Sequence, residues 1–149
     1  MDQTKLAIEL RRDEDVRYSP YYDNATPPNA TVGVGHNLRA KPLPNEVYPL
    51  TDLRVDQILA VDLQDVFHGL DLNLPWWRQL DEVRQRVLAN MCFNLGIYGL
   101  LTFKNTLGFM KNGEYIRASQ NLKNSKWYSQ VGQRAVRLCQ AIETGIMPN

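Results

Sequence analysis

Two carboxylates and one hydroxyl follow each other closely near the start of the chain, at Glu14, Asp23 and Thr31. Hydrolysis of a glycosidic bond needs an acid that protonates the leaving oxygen and a carboxylate that guides a water or attacks the sugar. A threonine hydroxyl can help to hold such a water. The three residues are therefore a candidate catalytic set, and the alternative for the two acids is a solvated helix end and a turn aspartate.

The segment that begins at Thr31 continues through Gly33 and Gly35 to His36. Glycines here either let a strand bend or keep the backbone bare, so that a sugar can lie against it. His36 has the chemistry of a general base, but a lone histidine is more often a structural partner. We expect Asp62 to be the acid that pairs with it.

The elements around these residues are a helix and a hairpin. Residues 2–14 have the apolar spacing of an amphipathic helix, and residues 17–22 and 31–34 have the composition of paired strands. A carboxylate is disfavoured at the negative end of the helix dipole, so helix propensity does not explain Glu14. The first acid thus ends a helix and the second lies on a hairpin, where the two can face each other.

The rest of the chain predicts helices. A connector at 39–49, rich in proline, leads into a long helix that we expect from residues 51–52 to about Gly69. Further helices are predicted at residues 75–77, 81–96, 103–111, 114–123 and 129–145. The predicted fold class is α+β, mostly α, with one small antiparallel hairpin near the N-terminus.

Composition limits the class of protein. The chain has 149 residues, 44% apolar and 22% charged, which is typical of one globular domain. The net charge of +1 gives no electrostatic case for nucleic acid or an anionic membrane. Cys92 and Cys139 are expected to be buried free thiols, with a disulfide as the alternative. The histidines have no ligand spacing with them, so no metal site or cofactor is predicted.

The resemblance to a known family lies in the same segment. Arg12-Asp13-Glu14, Tyr21-Tyr22-Asp23 and residues 31–36 together resemble the active-site segment of T-even-type phage lysozymes, the endolysins of glycoside hydrolase family 24. Further similar blocks follow in the family's order at residues 80–84, 90–96, 103–106, 125–128 and 134–135. The resemblance implies a single lysozyme domain over residues 1–149. Its parts would be a hairpin lobe at about 14–50, a connecting helix at about 51–69, and a helical lobe at about 70–149 that includes helix 2–14.

The resemblance also implies a role for each site residue. Glu14 would be the general acid, Asp23 would orient or stabilise, and Thr31 would help to hold the attacking water, which gives inversion. The residues expected to contact the sugar are Asn37, Phe93, Thr106 and Asn121. Arg134 would pair with Glu14, and His36 with Asp62 would give structural support.

Three differences from the family pattern bear on the site. Seven residues separate Asp23 from Thr31 where the family usually has five, so we expect a longer hairpin turn. Asn37 replaces an apolar residue, and Thr106 replaces a serine.

The predicted function is hydrolysis of the β-1,4 bond between N-acetylmuramic acid and N-acetylglucosamine in peptidoglycan. The alternatives are a lytic transglycosylase and a non-catalytic wall-binding relative. The N-terminus lacks the features of a secretory signal. We therefore expect synthesis in the host cytoplasm. The resemblance implies action on peptidoglycan in the periplasm after a holin-type partner permeabilises the membrane. We also expect no nucleic-acid partner and a monomer.

Overall fold

The computed structural model describes residues 1–149. It is mostly helical with one antiparallel sheet of three strands, which confirms the α+β class. The elements begin with α1 Gln3–Glu14, β1 Arg17–Tyr22, β2 Ala30–Gly33, β3 His36–Asn37 and α2 Asp52–Asn73. A 3₁₀ helix at Trp77–Gln79 then precedes α3 Glu82–Leu101, α4 Lys104–Lys111, α5 Tyr115–Lys123, α6 Lys126–Val131 and α7 Gln133–Thr144.

The chain divides into two compact units. The first unit is Gln3–Asp65, and the second consists of Met1–Asp2 and Val66–Asn149. The first unit contains α1 and the whole sheet, whereas the sequence grouped the first helix with the helical lobe. The predicted lobe boundaries stay a prediction.

The sheet sets which residues of the first unit lie side by side. β2 is the central strand and pairs with β1 and β3. Thr31 on β2 lies opposite Tyr21 on one side and opposite Asn37 on the other. β3 has only two residues, which is too short to give a strand pattern, and the sequence did not predict it.

Helix α2 is longer than the sequence predicts. It continues past Gly69 to Asn73 and stops before Pro75. Leu70 is fully buried, and its carbonyl accepts a hydrogen bond from the N–H of Leu74 at 2.8 Å. The burial of Leu70 outweighs the low helix propensity of the glycine before it, and the helix ends where a proline follows.

Two glycines break the helices of the second unit. Gly96 has φ 72° and ψ 162°, so α3 bends there instead of ending as predicted. Gly132 has φ 76° and ψ −133°, and it splits the predicted helix 129–145 into α6 and α7. Asp81 caps α3 as predicted, since its side chain accepts the N–H of Arg84. Both glycine conformations are rare for any other residue, which explains why the helices break at these positions.

Both cysteines are buried free thiols, so the predicted free thiols are confirmed over the disulfide. Burial raises the pKa of Cys92 and of Cys139 to about 11. No single helix is both long and apolar enough to cross a membrane. Helices α3 and α4, bent by 107° relative to each other, reach that length and apolarity only when taken together.

A buried polar pair joins β3 to α2 in the first unit. His36 is only 4% exposed, and its Nδ1 lies 2.7 Å from Oδ2 of Asp62. Its Nε2 lies 2.8 Å from the carbonyl oxygen of Lys41, whose ammonium donates to Oδ1 of Asp62 at 3.3 Å. The hydrogen bond to Asp62 raises the pKa of His36, and burial opposes it. Both partners of the ring are acceptors, so the doubly protonated imidazolium fits them best.

We expect this pair to make stability depend on pH. The folded-state pKa of His36 lies above its ordinary value of 6.5. The contribution of His36 to the free energy of unfolding is therefore complete below about pH 6.5, and it is lost as the pH rises through the folded-state pKa. Asp62→Asn should lower the free energy of unfolding by about 3 kcal/mol in acid and by less at about pH 9.

Urea unfolding across this pH range measures the effect. Asp65→Asn is the control because it removes an exposed acid that contacts the same Lys41, and it should cost less than about 1 kcal/mol. An Asp62→Asn loss of equal size at every pH would contradict the prediction.

The break at Gly132 gives a second prediction. Gly132→Ala should lower the free energy of unfolding by about 1–3 kcal/mol, because alanine is strained at this φ and ψ. Gly108→Ala is the matched control, since Gly108 lies inside α4 with open space around an added Cβ. That change should be neutral or stabilise by up to about 1 kcal/mol. Equal losses for both variants in thermal unfolding would show that backbone strain is not the cause.

Candidate active site

Glu14 is the last residue of α1 and is half-buried. The next residue, Asp15, has φ 59°, and this left-handed conformation ends the helix and turns the chain toward β1. Helices often end in this way, and aspartate tolerates the conformation better than most residues do. The predicted acid is thus fixed by the backbone at a helix end, as the sequence indicates.

Asp23 follows β1 directly, at the start of the hairpin turn, and both oxygens of its carboxylate accept hydrogen bonds. Oδ1 accepts the backbone N–H of Asn29 at 2.8 Å and that of Ala25 at 3.1 Å. Oδ2 accepts Nδ2 of Asn29 at 3.2 Å. The carboxylate therefore has a fixed orientation within the turn.

These hydrogen bonds also keep Asp23 charged. The backbone hydrogen bond from Asn29 is the largest cause that lowers the pKa of Asp23, and burial opposes it. The side chain of Asn29 and the N–H of Ala25 lower it further. Hydrogen bonds that favour a charged form lower the pKa of a carboxyl group. Asp23 is consequently a carboxylate throughout the neutral range.

Thr31 lies on the central strand and is only 5% exposed. Its hydroxyl donates to the carbonyl oxygen of Asn29 at 3.0 Å. The same carbonyl accepts the backbone N–H of Asp23, also at 3.0 Å. Asn29 thus connects Asp23 and Thr31, the two predicted site residues, although the sequence pattern did not predict Asn29 itself. Its position after two prolines in a polar turn was the signal that could have indicated it.

Tyr21 belongs to the motif that precedes Asp23, but the sequence pattern predicted no role for it. It lies opposite Thr31 across the β1–β2 pair. Burial raises the pKa of its phenol, Arg17 lowers it, and Glu14, Asp15 and Asp23 each raise it by a smaller amount. The guanidinium carbon of Arg17 lies 5.0 Å from the centre of the ring. Both predicted catalytic acids are therefore close enough to Tyr21 to act on it electrostatically.

His36 and Asn37 already use their side chains within the first unit. Both ring nitrogens of His36 are engaged, by Asp62 and by the carbonyl of Lys41. Oδ1 of Asn37 accepts the backbone N–H groups of Arg39 and Ala40 at 2.9 and 3.0 Å. The geometry therefore favours structural support for His36 and turn formation for Asn37, and the contact of Asn37 with sugar stays a prediction.

The predicted sugar-contacting residues of the second unit include one hydrogen-bonded pair. The hydroxyl of Thr106 donates to Oδ1 of Asn121 at 2.6 Å. Thr106 is only 1% exposed, whereas Asn121 and Phe93 are half-buried. Of this pair, Asn121 presents more surface to a ligand, and Thr106 orients it. Their contacts with sugar stay predictions.

Arg134 is a buried cation that is held by an asparagine of α3. Its Nε donates to Oδ1 of Asn90 at 2.8 Å, and its Nη2 donates to the Asn90 carbonyl at 3.3 Å. Asn90 is fully buried. The sequence signal that could have indicated this contact is Asn90 itself, an asparagine inside an apolar helix. A buried amide requires hydrogen-bond partners. The pairing of Arg134 with Glu14 stays a prediction.

No group of three or more histidine, cysteine, aspartate or glutamate side chains is arranged to hold a metal ion. The polar side chains described above are carboxylates, hydroxyls and amides. Within the first unit, these groups supply one carboxyl at a helix end and a carboxylate and a hydroxyl that share Asn29. Such a set can donate a proton, stabilise positive charge and orient a water.

No family model matches the chain. Among curated proteins, the chain is similar to the pre-baseplate central spike protein Gp5 of Enterobacteria phage T4, with 29% identity over 94% of the chain. It is also similar to two proteins of Dictyostelium discoideum. The probable T4-type lysozyme 1 is 34% identical over 48% of the chain, and the probable T4-type lysozyme 2 is 27% identical over 97% of it.

These relatives differ in length. The chain spans 28% of the spike protein and 42% of lysozyme 1, but 96% of lysozyme 2. Over nearly its whole length, the chain is therefore similar to a protein described as a T4-type lysozyme, and the similarity supports a relationship to that class.

Proposed function

We propose that this chain is a lysozyme-type glycoside hydrolase of peptidoglycan. It cleaves the β-1,4 bond between N-acetylmuramic acid and N-acetylglucosamine, with inversion at the anomeric carbon. The observation that carries the proposal is the joint attachment of Asp23 and Thr31 to Asn29, in the same compact unit as Glu14. Similarity to proteins described as T4-type lysozymes supports it separately.

Glu14 is the general acid in this proposal. Its protonated carboxyl gives the proton to the glycosidic oxygen while the bond from that oxygen to the anomeric carbon breaks. The departing N-acetylglucosamine leaves with a hydroxyl at its fourth carbon. Proton transfer to the leaving group is needed because a sugar alkoxide is a poor leaving group.

Asp23 and Thr31 act on the water that attacks. The proton of the Thr31 hydroxyl is directed to the carbonyl of Asn29, so Thr31 offers its oxygen to a water as an acceptor. Asp23 is an ionised carboxylate and offers a second acceptor. A water that donates one proton to each keeps a lone pair for the anomeric carbon, and Asp23 receives its proton as the new bond forms. The negative charge of Asp23 also stabilises the positive charge that develops on the sugar.

The sugar contacts in the proposal come from Asn37, Phe93, Thr106 and Asn121. Phe93 supplies an apolar face, as aromatic rings do in carbohydrate sites. Asn121 supplies an amide whose orientation is fixed by Thr106. The reaction requires no cofactor, because the acid, the carboxylate and the water are sufficient.

In its biological setting, we propose that the protein acts as a phage endolysin in host cell lysis. It is made in the host cytoplasm as a monomer and reaches peptidoglycan in the periplasm after a holin-type protein permeabilises the membrane. One relative is a phage protein, described as a pre-baseplate central spike protein.

Replacement of either acid should remove the activity. We expect Glu14→Gln and Asp23→Asn to slow the clearing of purified peptidoglycan by roughly 100-fold to 10,000-fold, because each variant keeps the side-chain shape and loses one catalytic role. Turbidity loss measures the rate. Glu114→Gln removes a surface acid that pairs with Arg117 and should leave the rate unchanged. Clearing at the wild-type rate by Glu14→Gln would show that a different group is the acid, whereas no clearing by the wild type would indicate a non-catalytic wall-binding protein.

The products should identify the reaction. Hydrolysis with inversion of a β-linkage gives a reducing N-acetylmuramic acid end that is initially the α-anomer. Proton NMR recorded in the first minutes of digestion, together with mass spectrometry, distinguishes the outcomes. An initial β-anomer would refute inversion, and an anhydro-muramoyl end would identify a lytic transglycosylase.

A further inference from the structure

We propose that Asn29 is a positioning residue of the active site, which holds the Asp23 carboxylate and the Thr31 hydroxyl so that both present acceptor oxygens to the same water. This inference rests on the proposed function for its catalytic meaning. Its geometric basis is independent of that function, because Asn29 contacts both residues directly.

Asn29 holds Asp23 by two donors on opposite sides of the carboxylate. Its backbone N–H binds Oδ1 at 2.8 Å, and its side-chain Nδ2 binds Oδ2 at 3.2 Å. Two donors on the two oxygens fix the rotation of the carboxylate about its last bond, which one donor would not do. Only the second of these bonds depends on the side chain of Asn29.

Asn29 holds Thr31 by its carbonyl oxygen. This oxygen accepts both the Thr31 hydroxyl and the backbone N–H of Asp23, each at 3.0 Å. The hydroxyl could otherwise rotate and donate its proton to the water. Because its proton is directed to Asn29, the lone pairs of Thr31 remain for the water.

The sequence of the turn explains why Asn29 has this position. Pro27 and Pro28 have no backbone N–H, so neither can donate to Asp23. Ala25 supplies a donor before the prolines, and Asn29 supplies the first donor after them. Because this residue is an asparagine, its side-chain amide donates to the Asp23 carboxylate in addition to its backbone N–H. These two hydrogen bonds connect the end of the longer turn to its start at Asp23.

Hydrogen bonds stabilise the charged form of the Asp23 carboxyl group. The causes that lower its pKa are the N–H groups of Asn29 and Ala25 and the side chain of Asn29. Asp23 also raises the pKa of Tyr21, on β1, which Glu14 and Asp15 raise as well and Arg17 lowers. Removal of the Asn29 amide should therefore raise the pKa of Asp23 without removing a charged partner.

The experiment compares Asn29→Ala, Asn29→Asp and the control Asn24→Ala in the full chain. Asn24 lies in the same turn and is exposed. Carbon-13 NMR follows the titration of the Asp23 carboxyl, and initial rates on soluble peptidoglycan fragments give kcat and KM. Amide spectra of each variant establish that it is folded.

We expect Asn29→Ala to raise the pKa of Asp23 and to lower kcat by about threefold to tenfold, with KM within about twofold of wild type. Asn29→Asp should raise the pKa more, because a second carboxylate opposes ionisation of the first. Its kcat should recover partly as the pH rises. In an Asp23→Asn background, Asn29→Ala should have little further effect on kcat.

The inference is overturned if the pKa of Asp23 is the same in both Asn29 variants as in the wild type. It is also overturned if the variants change KM but leave kcat unchanged. If the wild-type protein hydrolyses no peptidoglycan while Asn29→Ala still raises the pKa of Asp23, the proposed function is refuted and the control of Asp23 by Asn29 is supported. The opposite pattern, an active wild type with an unchanged Asp23 pKa in the variants, refutes the positioning role alone.

Discussion

The hydrogen bonds made by Asn29 are the constraint on which the candidate site depends. The carbonyl oxygen of Asn29 accepts hydrogen bonds from the backbone N–H of Asp23 and from the hydroxyl of Thr31. The backbone N–H and the side-chain amide of Asn29 donate to the Asp23 carboxylate. A carboxylate in a turn would otherwise sample several orientations, and loss of that freedom has an entropic cost. This entropy is lost when the turn folds, so the carboxylate is already oriented before any ligand binds.

The same principle of satisfied polar groups applies to two buried residues outside the turn. His36 is enclosed in the first unit and has an acceptor at each ring nitrogen. Arg134 is enclosed in the second unit and donates to the side chain and carbonyl of Asn90. Burial of these groups without partners would be strongly destabilising. Their partners therefore contribute to the rigidity of the two units that carry the candidate site residues.

Much of the architecture could be predicted from local sequence. The amphipathic spacing of the first helix, the β-branched and aromatic strands, and the Asp81 cap all correspond to elements of the structure. The errors occurred where long-range burial decided the outcome, as for α2 beyond Gly69. They also occurred where a glycine had two interpretations. Gly96 bends a helix and Gly132 divides one, although glycine ends helices more commonly.

The sequence by itself determined the residue types of the candidate site, their order and the elements that carry Glu14, Asp23 and Thr31, because these follow from local pattern and from resemblance. The conformation of the folded turn decided that Asp23 and Thr31 share Asn29, and tertiary structure alone decided that Arg134 is held by Asn90. Hydrogen bonding requires that two groups approach within about 3 Å at a suitable angle. Residue spacing along the chain does not specify that approach, and the folded backbone does.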